Sequence, residues 1–276
     1  MHFACPLLLL PLACTPKATA PPAPEGALTE VVGAVGLSDL ATDPQGRLWA
    51  VAERPAALVR VDASGVVVLK ITGLPEGVEP EALAIDADGA MRVGTEGEGS
   101  RADDGIYPIT VGAGTAEAHD REAFPWAPWG LMAADNQGIE AMCAGKERWV
   151  AGEPVLTDAG RREAPLARWT RQGWQALRLP LQTSEGKISA LACDPDDSLW
   201  AIERHYEELE LLQVTVAPDG GVTVSRCGIP TWLRAANANW EGLAVDGDEL
   251  VWVSDNQNAT VSGPTRLARI PRRCVI

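Results

Sequence analysis

Five segments of this 276-residue chain place one polar side chain directly before a Leu-Ala-like pair or one residue upstream of it. They are Ser38-Asp39-Leu40-Ala41, Glu81-Ala82-Leu83-Ala84, Glu140-Ala141-Met142-Cys143, Ser189-Ala190-Leu191-Ala192 and Glu241-Gly242-Leu243-Ala244. Thirteen to fifteen residues after each polar position, an apolar run ends on an acid: Glu53, Glu96, Glu153, Glu203 and Asp255. Carboxylates brought close together repel, so they must be protonated, paired with cations or bridged by a metal. Arg54, Arg204, Lys187 and His205 stand beside these positions as candidate cations. Glu81, Glu140 and Glu241, with Asn136, Asn239 and Asn256 nearby, offer the hard oxygen ligands that Ca²⁺ takes. Glu203 and His205 are the candidates for moving protons.

Elements that position such residues follow from the repeat. The anchoring apolar residues Leu40, Leu83, Met142, Leu191 and Leu243 recur every 43 to 59 residues. Each unit reads as a β-hairpin, with turns such as Asp43-Pro44-Gln45-Gly46 and Asp86-Ala87-Asp88-Gly89. Third and fourth strands are expected at 57–61 and 66–71, at 211–215 and 221–226, and at 266–270 and 175–179. Four strands per unit at this spacing describe an all-β fold, a β-propeller of five blades of four antiparallel strands, with six blades as the alternative. A strand near 27–32 is expected to pair with the last blade and close the ring, which removes exposed sheet edges. The inner strand starts and the second strand ends then share one face. Loops holding Trp126 and Trp129, and Trp232 and Arg234, open there too. The expectation is an acidic channel mouth with aromatic walls, its ligand-facing residues being Arg54, Arg204, Trp126, Trp129, Trp232, Asn136, Asn239, Asp255 and Asn256.

The composition narrows the partners. The formal net charge is −15, with an isoelectric point near 4.6. A phosphate-backbone binder needs a basic face, so nucleic acid is not an expected partner. Residues 1–13 hold an apolar run too short to span a bilayer, which reads as a signal peptide. It ends Leu12-Ala13-Cys14, similar to a bacterial lipoprotein signal, so Cys14 is the expected site of lipidation and the membrane anchor. Residues 14–26 form a Pro/Ala-rich spacer, and 27–276 a single propeller domain, expected as a monomer in the periplasm or on the outer membrane. Cys143, Cys193, Cys227 and Cys274 then face an oxidising compartment, where three pairings are open.

The order Ser, Glu, Glu, Ser, Glu before Leu-Ala resembles the SdiA-regulated family of bacterial propellers. Asp135-Asn136-Gln137-Gly138-Ile139-Glu140 and Asn239-Trp240-Glu241-Gly242 are similar to that family and to the related family called esterase-like activity of phytase. Trp252-Val253-Ser254-Asp255-Asn256 and Leu199-Trp200-Ala201-Ile202-Glu203-Arg204 resemble the latter. The resemblance implies a β-propeller, export and divalent cation binding. The chain has no Gly-x-Ser-x-Gly elbow and no His-Glu-x-x-His. The expected function is therefore an exported cell-envelope module that binds a small molecule or envelope protein at a Ca²⁺-holding mouth. The alternative is a metal-assisted esterase or phosphoesterase.

Overall fold

The computed structural model describes residues 20–62, 65–97, 103–131, 137–205, 208–236, 238–256 and 262–275. After β1 (Leu28–Glu30) come four-strand units in chain order. The first blade is β2 (Leu37–Thr42), β3 (Leu48–Ala52), β4 (Ala57–Asp62) and β5 (Gly65–Thr72). The second is β6 (Val78–Ile85), β7 (Met91–Gly97), β8 (Ile106–Val111) and β9 (Thr115–Ala118). The third holds β10 (Ile139–Ala144), β11 (Arg148–Gly152), the short β12 (Leu156–Asp158), β13 (Arg161–Thr170) and β14 (Gly173–Pro180). The fourth is β15 (Lys187–Cys193), β16 (Leu199–His205), β17 (Glu208–Val216) and β18 (Val222–Cys227). The fifth is β19 (Trp240–Asp246), β20 (Glu249–Ser254) and β21 (Arg266–Pro271), completed by β1, which pairs antiparallel with β21. The N-terminal strand thus closes the ring as expected. One pairing was not expected: β5 and β9 run parallel and join the outer edges of blades one and two into an eight-stranded sheet.

The tight turns follow from local chemistry. In the β2–β3 turn, Gly46 at φ +75° donates its N–H to the Asp43 carbonyl at 2.8 Å. The Asp43 carboxylate accepts the N–H groups of Gln45 and Arg47 and the indole N–H of Trp49. The β15–β16 turn repeats this, with Asp197 taking the left-handed position and Asp194 accepting the Trp200 indole N–H at 2.8 Å. An Asp six residues before a Trp therefore ties the turn to the blade. In blade two the same place holds Arg92, which pairs with Asp86.

Apolar residues from neighbouring blades meet in five cores. One joins blades one and two through Val51, Leu58, Leu83 and Val93. The others join blades two and three, three and four, four and five, and five and one. Trp200, Trp240 and Trp252 are among the largest fully buried side chains. Burial of this kind contributes about 25 cal/mol per Å² of apolar surface removed from water. Two disulfides settle the cysteine pairing, Cys143–Cys193 between the inner strands of blades three and four, and Cys227–Cys274.

Candidate functional site

Every inner strand carries a register irregularity close to its start. The residue skipped is Asp39 in β2, Glu81 in β6, Glu140 in β10, Ser189 in β15 and Glu241 in β19. A bulge leaves one residue out of the ladder and re-aims its side chain. Four blades thus release the expected polar residue from the sheet at the mouth. Blade one shifts the bulge by one position. Ser38 stays paired and donates its hydroxyl to Glu53 at 2.7 Å, while Asp39 turns inward at φ +44°. In the repeat, Asp39 occupies the row of Ala82, Ala141, Ala190 and Gly242.

Asp39 is fully buried. One oxygen accepts the N–H of Leu40 at 2.9 Å, and the other accepts Leu83 at 2.8 Å and Met142 at 3.1 Å. The carboxylate therefore binds backbone from blades one, two and three. A Cβ on Gly242 of blade five would stand 2.6 Å from the Asp39 carbonyl carbon, so only glycine lets that strand approach. Asp39 ties these blades together at the axis.

The mouth carboxylates form two close groups among the described residues. Glu53, Glu79 and Glu81 offer oxygens within 4.8 Å of one another, as do Glu96, Glu140 and Glu153. Arg54 grips Glu79 through two hydrogen bonds of 2.5 and 2.7 Å. Lys187 pairs with Glu153, and its Nζ lies 3.4 Å from Glu140. Arg204 pairs with Glu241, which also accepts the Asn239 side-chain N–H at 2.6 Å. Asn256 accepts the Asn239 backbone N–H and donates to the Pro264 carbonyl. Asp255 is buried beside them, its own N–H held by the Asn239 carbonyl. Glu96 Oε2 and Glu153 Oε2 are buried without a hydrogen-bond partner.

Several expected positions fall elsewhere. Glu81, Glu140 and Glu241 do not make one group; each joins acids or cations of its own sector, because the five inner strands enter the mouth at separate points around the ring. Glu79 was missed. It stands two residues before Glu81 on one strand, and because the bulge at Glu81 interrupts strand alternation, only the structure shows that the two come together. Glu203 does not face the mouth as a proton carrier. Its oxygens accept the N–H groups of Gln182 and Thr183 and the Thr183 hydroxyl, fastening the loop before β15. His205 Nδ1 lies 3.3 Å from Glu185 on the half-exposed end of β16. The tryptophans do not wall the mouth. Trp129 is buried, stacks on Phe124 and donates to the Leu177 carbonyl at 2.6 Å. Trp126 is half-buried against Phe124 and Gly152, and Trp232 against the core of blades four and five. Asn136 and Cys14 lie outside the described residues.

Burial and mutual repulsion govern the charge state. Burial, then Glu140 and Glu153, push Glu96 up to about 9. Burial, then Glu140, push Glu153 up to about 7 against the pull of Lys187. Burial holds Glu241 at about 7 although Arg204 opposes it. Glu81 is raised well above its ordinary value by burial and then by Glu53 and Glu96, and Glu53 is raised by burial. A carboxyl raised in the folded state keeps its proton where the unfolded chain has lost it. Stability then falls as pH climbs from the ordinary 4.5 through 7 and on to about 9. The slope is about 1.4 kcal/mol per pH unit for each proton retained. The midpoint of urea unfolding in chelator should drop across this window. A midpoint independent of pH between 5 and 9 would contradict the buried-acid picture.

A family model described as phytase-like, esterase-like activity of phytase, matches residues 32–259. No curated protein matches the chain. Among solved structures, a protein assigned as a gluconolactonase is 11% identical with a TM-score of 0.54, covering 90% of this chain and 94% of its own. The PQQ-bound aldose sugar dehydrogenase of Streptomyces coelicolor is 14% identical with a TM-score of 0.50, covering 91% and 100%. A calcium-binding regucalcin from Agrobacterium tumefaciens gives 14% and 0.48, covering 89% and 93%. At these identities the likeness to the first two speaks for the β-propeller fold alone.

Proposed function

The chain belongs to the phytase-like family, esterase-like activity of phytase, and from that premise we propose that it is an exported β-propeller whose acidic mouth holds a divalent cation, Ca²⁺, as part of a binding site. The observation that carries this is the pair of acid groups, in which Glu96 Oε2 and Glu153 Oε2 are buried with no partner. A buried carboxyl oxygen without a partner is costly, and a cation that takes the place of the retained proton removes that cost. Glu96, Glu140 and Glu153 are the residues that would hold it, with Glu53, Glu79 and Glu81 as the second acid group, and the oxygen-only set suits a hard ion. Two disulfides support an oxidising compartment and with it export; the signal read at 1–13 and anchoring at Cys14 are part of the same proposal.

A binding role is the leading reading, because the two groups named for proton transfer are engaged elsewhere. Glu203 fastens a loop and His205 faces Glu185. The family description favours a second reading, ester hydrolysis, in which a held cation polarises the ester oxygen. The two separate on aryl ester and phosphate substrates. Turnover abolished by Glu241→Gln in a folded variant would establish the second.

The cation itself is tested by calorimetry with chelator and with added calcium. At a hundredfold excess over Kd, a bound ion adds about 2.7 kcal/mol. That shifts Tm by roughly 5–10 °C in a domain of this size. An unchanged Tm on chelation and calcium addition would remove the cation from the reading.

A further inference from the structure

Lys187 is placed with unusual firmness for a mouth lysine. It opens β15, opposite Arg204 of β16. The loop before it, 182–186, is fastened by three side chains. Glu203 takes the N–H groups of Gln182 and Thr183, and Glu208 takes those of Glu185 and Gly186 with the Ser184 hydroxyl. Arg162 donates to the carbonyls of Thr183 and Gly186. A Cβ on Gly186 would collide with the Thr183 hydroxyl at 2.4 Å and with Glu203, so this turn closes only around glycine. From that fixed base the Lys187 chain reaches from blade four to the acids of blade three. There its ammonium pairs with Glu153 and lies 3.4 Å from Glu140. Glu96, from blade two, completes the group and is 7% exposed, with Oε2 lacking any partner.

We propose that Lys187 is a tethered internal cation that competes with an incoming divalent ion for the Glu96, Glu140 and Glu153 group, and so sets the affinity and charge selectivity of the mouth. This rests on the cation-binding reading above. The ammonium offers hydrogen bonds to Glu140 and Glu153, but none is made to the buried Oε2 atoms of Glu96 and Glu153. A divalent ion brings twice the charge and can draw on all three carboxylates. A monovalent ion brings no more charge than Lys187 already supplies and gains little by replacing it. The tether thus favours divalent over monovalent ions.

The test is calorimetric titration of calcium chloride into the oxidised protein, with Lys187→Met, Lys187→Gln and Lys187→Arg. Removing the ammonium should tighten calcium binding by about tenfold or more. Lys187→Arg keeps the charge and should stay near wild type. Adding Glu96→Gln to Lys187→Met should weaken binding again. Lys187→Gln puts a neutral polar amide in the same place and serves if Lys187→Met does not fold. If wild type binds calcium and both neutral variants bind it equally or more weakly, Lys187 is no competitor and the inference falls while the cation reading stands. If neither wild type nor the neutral variants take up calcium, the cation reading fails first and takes the inference with it.

Discussion

Replacing Asp39 by alanine should lower the unfolding free energy by roughly 3–6 kcal/mol, because three buried backbone N–H groups lose their acceptor at about 1–3 kcal/mol each. The groups belong to Leu40, Leu83 and Met142, from three different blades. Alanine also tolerates the left-handed backbone at Asp39 less well than Asp or Asn. Asp39→Asn keeps one acceptor oxygen and the backbone preference, and should lose clearly less than Asp39→Ala. Urea unfolding followed by tryptophan fluorescence reads both. A loss below about 1 kcal/mol for Asp39→Ala would show that the axis does not depend on this carboxylate. Burial pushes Asp39 well above the ordinary carboxyl range although the three N–H bonds pull it down. Its contribution therefore belongs to the packed axis, not to the exchangeable charge of the mouth.

The disulfides carry the second large effect. Cys143–Cys193 closes 50 residues and joins two inner strands, and Cys227–Cys274 closes 47 residues around the fifth blade. Loop-closure entropy alone assigns about 4 kcal/mol to a loop of this size. Cys143→Ala with Cys193→Ala should lower Tm by about 8–16 °C in a domain of this length, and reductant should lower the wild type at least as far. A double variant melting with the wild type would mean that blades three and four are held by their apolar core alone. The Cys227–Cys274 pair should matter most for the last blade, since it fastens the chain after β21 to the end of β18.

Much of this architecture was legible from local chemistry. The period of Leu-Ala anchors marked the inner strands, Asp-rich turns marked the hairpins, and residues 27–32 were expected to close the ring, as β1 does. Strand alternation and turn type are set by residues a few positions apart, so they survive in a one-dimensional reading. The acids at strand starts and ends were placed on one face for the same reason.

Where sequence reading stopped, the deciding distances run across the ring. Glu81, Glu140 and Glu241 look equivalent in the repeat, yet each meets different neighbours, because blades enter the mouth at separate angles and Arg54, Lys187 and Arg204 reach different sectors. Asp39 hid in a row of alanines and a glycine, and only a bulge displaced by one residue made it the tie between blades. Trp126, Trp129 and Trp232 lie in mouth-side loops, but large apolar rings are driven into the nearest core, so loop position did not make them ligand walls. The cysteine pairing needed the spatial neighbours of β10 and β18. By itself the sequence determined the propeller, its hairpins and the inner-strand starts that carry Glu81, Glu140 and Glu241, since these depend on local spacing. Tertiary structure decided which carboxylates share a site, which cation opposes them and what holds the axis, since these depend on how the blades meet around the ring.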